Sequence, residues 1–188
     1  MHNSNAISKS PRGNFFEDFH IGQVFHHATP RTISEGDSAL YIALTGARQV
    51  IHSAQPVAHA MGYKNRTIDD LLAFHMALGK TVPDISINAI ANLGYAQVKF
   101  VRPIYAGDTI SSKSTVVGLK QNSDGKSGIV YVQCEALNQD HQVVISWVRW
   151  VMVRKNDTNA PTPETVLPTL ETVVQAKDLD IPHDVEYN

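Results

Sequence analysis

The chain has 188 residues, 43% of them hydrophobic, and a formal net charge of −2, which suits one domain with an ordinary core and argues against a nucleic-acid footprint. A single cysteine, Cys134, excludes an internal disulfide, offers no zinc-ligand spacing and suits a reducing compartment. No apolar run reaches the roughly 18 residues of a membrane span, and the polar start MHNSNAISKSPRGN has no secretory apolar stretch, so a cytoplasmic, soluble protein is expected.

Residues 1–13 read as a disordered tail, and the chain turns aromatic from Phe15. Gly22 suggests a turn and Thr29–Ile33 a short strand. Ser34 with Asp37 three residues on forms a capping box, which opens a helix over SALYIALTG that closes at Gly46. Residues 47–66 show no sustained period, although PVAHAM has room for a short helix. A connection this long inside a compact domain is functional or misassigned.

The next stretch, RTIDDLLAFHMALGKTV, predicts a helix over 67–78. Thr67 and Asp70 make a second capping box, and Asp69 and Asp70 put acids in the first turn, where the helix dipole favours them. Gly79, Lys80 and Pro83 follow as stop signals. Ile68, Leu71, Leu72, His75 and Met76 share one face, while Ala73, Phe74, Ala77 and Leu78 make the rest apolar. Such a helix is expected to be buried all round, with His75 a hydrogen-bonded core histidine.

Strands follow. Residues 88–102 place Val98 and Phe100 on one face, and Gly94 suggests a bulge or a close backbone approach. A turn at 105–108 leads to a β-branched run at 109–119, and Asn122–Gly125 is a hairpin turn. Residues 128–137 alternate, with Val130, Val132, Cys134 and Ala136 inward and Tyr131, Gln133 and Glu135 outward. Residues 142–154 are apolar on both faces except at Arg149, as in a central or interface strand. Prolines at 161, 163 and 168 mark 156–188 as a linker-like tail.

Helices first, then about four antiparallel strands, is an α+β pattern. One buried helix wrapped by a curved sheet is the hotdog fold, expected over residues 14–155. A single such sheet leaves an edge and an apolar face, so a homodimer or pairing with a second hotdog domain is expected.

The segment FVRPIYAGDTI (100–110) resembles the F-x-x-P-[VI]-x-x-G-D-T stretch of MaoC-like, (R)-specific enoyl-CoA hydratases. TGARQVIH (45–52) is similar to that family's T-G-D-x-N-P-x-H loop, and NLGYAQVKF (92–100) also fits. GNFFEDFHIGQ, PRTISEGD, KTVPDIS and VRWVMVRK bring it nearest to the amino-terminal half of two-hotdog hydratases acting on mesaconyl-CoA and β-methylmalyl-CoA.

The resemblance implies addition or removal of water at an enoyl-CoA thioester, by an Asp and a His five residues apart. His52 stands at the His position, but Ala47 replaces the Asp, and Gln49 and Val50 replace the Asn and Pro. His52 is the acid/base candidate, and Asp70 is a second, because hotdog thioesterases place a carboxylate near this helix. Backbone N–H groups from Ile68 through Asp69 to Asp70 offer a dipole end for a thioester oxygen. Asn92, Gly94 and Arg102 complete the expected substrate contacts, with Arg102 suited by charge to a coenzyme A phosphate. Coenzyme A enters as substrate, with no cofactor, and His26-His27 lacks a third metal ligand. Each residue also has a plain reading: a solvated loop histidine, capping acids, turn residues. Three functions stay open: a hydratase, a thioesterase using Asp70, or a non-catalytic acyl-CoA-binding subunit.

Overall fold

The structure, a computed structural model, describes residues 12–171 and draws its sheet chiefly from the second half of the chain. Most of the two expected tails, residues 1–11 and 172–188, lie outside the described residues. The long strands are β3 (Ala89–Phe100), β4 (Thr109–Gln121), β5 (Ser127–Leu137) and β6 (Val143–Arg154). Two short ones precede them, β1 (Val24–His26) and β2 (Arg31–Thr32). The order is β1-β4-β5-β6-β3, antiparallel throughout, with β2 also on β4.

The alternation expected in β5 sets the core: Val130, Val132, Cys134 and Ala136 are fully buried, as is Trp147 of β6. Against this face lies the helix α4 (Asp70–Ile85). Its small residues Ala73, Ala77 and Thr81 recur every fourth position, so the helix can lie close to the strands. The Ser112 hydroxyl of β4 donates to the Ala77 carbonyl at 3.1 Å. A sheet curled round one helix is the hotdog fold, as expected.

Helix α4 departs from its predicted form in three ways. Its cap is Asp69, which accepts from the Leu71 and Leu72 N–H groups at 2.9 and 3.3 Å, whereas Thr67 bridges to Tyr105. It runs through Gly79 and Pro83 to Ile85. An interior proline costs about 3 kcal/mol. Burying Ile85 contributes about 1.5–3 kcal/mol of opposite sign, and Thr81 and Asp84 are buried beside it. Tertiary packing outweighs the local stop signals. Finally, the helix is not buried all round: Leu71 is 54% exposed, and His75 is exposed rather than a core histidine. The buried stripe is Leu72, Ala73, Ala77, Thr81, Asp84 and Ile85.

The opposite flank of α4 faces α1 (Glu35–Thr45), whose Ser34–Asp37 capping box and left-handed Gly46 (φ 67°) match the sequence reading. Between them runs an open groove of about 740 Å³ lined by Leu40, Tyr41, Leu44, His75 and Met76. The aperiodic stretch 47–66 holds two short helices, α2 (Val50–Ser53) and α3 (Gln55–Ala60).

The two edges of the sheet differ. Strand β4 is covered by β1, by β2 and by the expected tail, since Val166 exchanges hydrogen bonds with Leu119 at 2.8 and 2.9 Å. Gly118 permits this: a Cβ there would lie 2.6 Å from Pro168 Cδ. Strand β3 has no neighbour on its outer side among the described residues. It carries exposed Ile90, Leu93, Tyr95, Val98 and Phe100. Register shifts at three places along it roughen that edge.

Candidate active site

Three segments converge at the start of α4. The Thr67 N–H donates to the Ile51 carbonyl at 3.1 Å, tying the helix entry to α2. The Ile68 N–H donates to the Ile104 carbonyl at 2.7 Å, tying it to the turn after β3. A cleft of about 180 Å³ opens where these meet, walled by Tyr63, Thr67, Asp70, Phe100, Arg102 and Pro103, among others.

His52 of α2 lies behind this wall, 2% exposed. Its Nδ1 is 2.8 Å from the Thr67 hydroxyl and 3.1 Å from the Thr67 carbonyl oxygen. A carbonyl can only accept, so we assign the ring proton to Nδ1. Nε2 then carries the lone pair, and it is buried without a hydrogen-bond partner. A buried polar atom left unpaired is costly and calls for an explanation. Asp70 supplies one. Burial raises its carboxyl above the ordinary aspartate value; nearby His52 opposes that shift and Asp69 reinforces it. His52 and Asp70 therefore sense each other, although they are 18 positions apart in the chain. A basic nitrogen within electrostatic reach of a carboxyl biased toward its protonated form can serve acid/base chemistry.

The other predicted contacts divide. Arg102 lines the same cleft, with its Nη1 donating to the Val143 carbonyl at 2.8 Å. The N–H of Ile68 is taken up by Ile104, and those of Leu71 and Leu72 by Asp69, so the expected dipole end narrows to the N–H groups of Asp69 and Asp70. Asn92 accepts from Arg149 Nε at 3.1 Å and donates to the Tyr95 hydroxyl, a structural pairing on β3 outside the cleft. Gly94 also lies outside it: a Cβ there would be 2.5 Å from Trp150 Cζ2, so glycine is needed for packing. Sequence reasoning did not name Tyr63, Phe100 and Pro103 as cleft residues; Phe100 and Pro103 are the Phe and Pro of the F-x-x-P stretch, a signal that could have found them, whereas no local pattern marks Tyr63. No group of three metal-ligating side chains occurs among the described residues.

Fold and site together define a MaoC-like hotdog protein with His52 and Asp70 at the entry of its central helix. The profile of the mesaconyl-CoA hydratase family matches residues 4–185, and the chain belongs to that family. It is 55% identical over 178 residues to a β-methylmalyl-CoA dehydratase of Chloroflexus aurantiacus, an alignment covering 95% of this chain and 51% of that one. A crystal structure of a MaoC domain protein dehydratase from the same organism superposes with a TM-score of 0.90 at 54% identity, covering 96% of this chain and 52% of that one. A Mycobacterium tuberculosis protein described as having a double hotdog fold gives a TM-score of 0.72 at 26% identity, covering 82% and 47%. The chain spans about half the length of the curated relatives it matches most strongly.

Proposed function

We propose that this chain is one hotdog unit of a hydratase/dehydratase that adds water to, or removes it from, an enoyl-CoA thioester such as mesaconyl-CoA. The observation that carries the reading is the unpartnered Nε2 of buried His52, within electrostatic reach of the Asp70 carboxyl. In hydration, Nε2 takes a proton from water as the water oxygen bonds to the β-carbon. The thioester carbonyl takes the displaced electron pair as an enolate, and the Asp69 and Asp70 N–H groups are the donors that would stabilise it. Protonated Asp70 delivers a proton to the α-carbon. Asp70 regains a proton as His52 loses one, directly or through solvent. Asp70 thus supplies the carboxyl that Ala47 lacks.

The bare β3 edge ends at Phe100, a wall of the cleft, so a second hotdog unit pairing there would close the site from the other side. The half-length match to the relatives and the double hotdog of a solved neighbour support such a unit, a second copy or another chain.

The test is loss of mesaconyl-CoA absorbance on hydration, for the chain alone and with a second hotdog unit. Turnover that His52→Ala and Asp70→Asn both abolish supports the reading. Turnover unaffected by either overturns it, and release of free thiol in place of hydration would make the site a thioesterase.

A further inference from the structure

Arg102 has no ion-pair partner among the described residues. It sits just past β3 in the cleft with Asp70, and Val143 uses one of its five donors. Among the described residues no carboxylate pairs with it. The neighbouring cations are engaged: Arg66 pairs with Glu35 at 2.5 Å, and the Lys64 ammonium lies 4.2 Å over the Tyr105 ring. Among the described residues, Arg102 is thus the cation that lines this cleft and is available to a ligand. At about 180 Å³ the cleft is small, below the roughly 300–1,000 Å³ of pockets that enclose a drug-sized ligand. It suits a short acyl unit, not a whole coenzyme.

Mesaconic and β-methylmalic acids each have two carboxyl groups. The thioester uses one; the other stays free and is ionised at neutral pH. A free carboxylate brought near Asp70 and Asp69 would meet like charge unless a cation balanced it. We propose that Arg102 binds that free carboxylate and makes the site select coenzyme A thioesters of short dicarboxylic acids over those of monocarboxylic acids. The planar guanidinium fork matches a carboxylate with two parallel hydrogen bonds, which lysine cannot reproduce. The inference rests on the hydratase reading for where the thioester lies, and it replaces the expectation that Arg102 meets a coenzyme A phosphate.

Binding of succinyl-CoA and butyryl-CoA tests it. Both are saturated four-carbon thioesters that cannot be hydrated, and they differ in the free carboxylate. Titration calorimetry on the assembly the protein forms should show succinyl-CoA binding about 10–100-fold more tightly, the worth of a hydrogen-bonded charge pair. Arg102→Gln should erase that preference and Arg102→Lys should keep part of it, with melting temperatures matched to the parent. Equal affinities in the parent would overturn the proposal, as would a preference that survives Arg102→Gln. A loss shared equally by both thioesters would put Arg102 on the coenzyme A portion and overturn it too. Mesaconyl-CoA turnover is read separately: selective binding without turnover removes the hydratase reading and leaves the selectivity standing.

Discussion

Two buried histidines sit near opposite ends of α4, and they differ in what their rings leave unpaired. His27 lies toward the C-terminal end, 6% exposed, with both nitrogens engaged: Nδ1 at 2.7 Å from Asp84 Oδ2 and Nε2 at 2.8 Å from Ser114 Oγ. Ser114 in turn donates to Cys134 Sγ at 3.1 Å. Burial pushes that thiol up to about 11, with Ser114 and then Arg149 opposing, so it stays neutral. These are the residue types of a hydrolytic triad, yet Ser114 is fully buried and no substrate can reach it. His52 is buried as deeply, but its Nε2 has no partner, and Thr67, which its Nδ1 contacts, lines the cleft that also holds Asp70. Completing a ring's hydrogen bonds makes it a clamp between β1, α4 and β4; leaving one nitrogen unpaired keeps it available for proton transfer.

Substitution at each ring should separate the two roles. His52→Ala removes the free base, and hydration should fall about 10²–10⁴-fold. The cavity left by the buried ring and the lost contacts to Thr67 should lower Tm without abolishing the fold, so activity is compared per folded molecule; circular dichroism with steady-state kinetics checks both. A variant that keeps full activity would make His52 an ordinary core residue and erase the contrast.

His27→Ala should do the reverse. Removing the ring that Asp84 and Ser114 both bond leaves a cavity and weakened polar partners, worth about 2–4 kcal/mol of stability. At this chain length that is a fall of about 5–15 °C in Tm by calorimetry. Activity per folded molecule should hold at temperatures where the variant is folded. A drop in kcat with unchanged Tm would place His27, not His52, in the chemistry.

Neither pairing was legible in the sequence, and the reason is distance along the chain. His27 and Asp84 are 57 positions apart, and His52 meets Thr67 and Asp70 across a loop with no period. Local signals were readable where local physics decides. The alternation of β5 set its buried face, and Ser34–Asp37 and Gly46 bounded α1. They failed where tertiary packing decides, at Gly79 and Pro83, which α4 passes through to bury Ile85, and at β1, too short at three residues to show a pattern. His52, Asp70 and Arg102 could be named singly from the chain. That Asp70 stands in for the carboxylate missing at Ala47 is a reading that requires the fold.

The smallest expected effect concerns the cost of holding Asp70 ready. Its carboxyl titrates above the ordinary value of 3.8, chiefly because burial disfavours the charged form, with His52 opposing and Asp69 reinforcing. A group whose folded pKa is raised binds its proton more tightly folded than unfolded. Its stabilising contribution is therefore complete below the unfolded value and lost as pH rises through the folded one. The fraction of Asp70 that is ionised destabilises the fold relative to a neutral isostere, while the protonated fraction is the one that can deliver a proton. Asp70→Asn should then raise Tm slightly at pH 7, a modest gain because Asp70 remains open to solvent. The gain should shrink toward zero as pH falls to about 4, while hydration is lost at every pH. Thermal melts across that range decide it. A variant less stable at pH 7 would mean that His52 holds the Asp70 carboxylate by charge more strongly than burial disfavours it, and the pair would be structural, as the hydrogen-bonded His27 and Asp84 are.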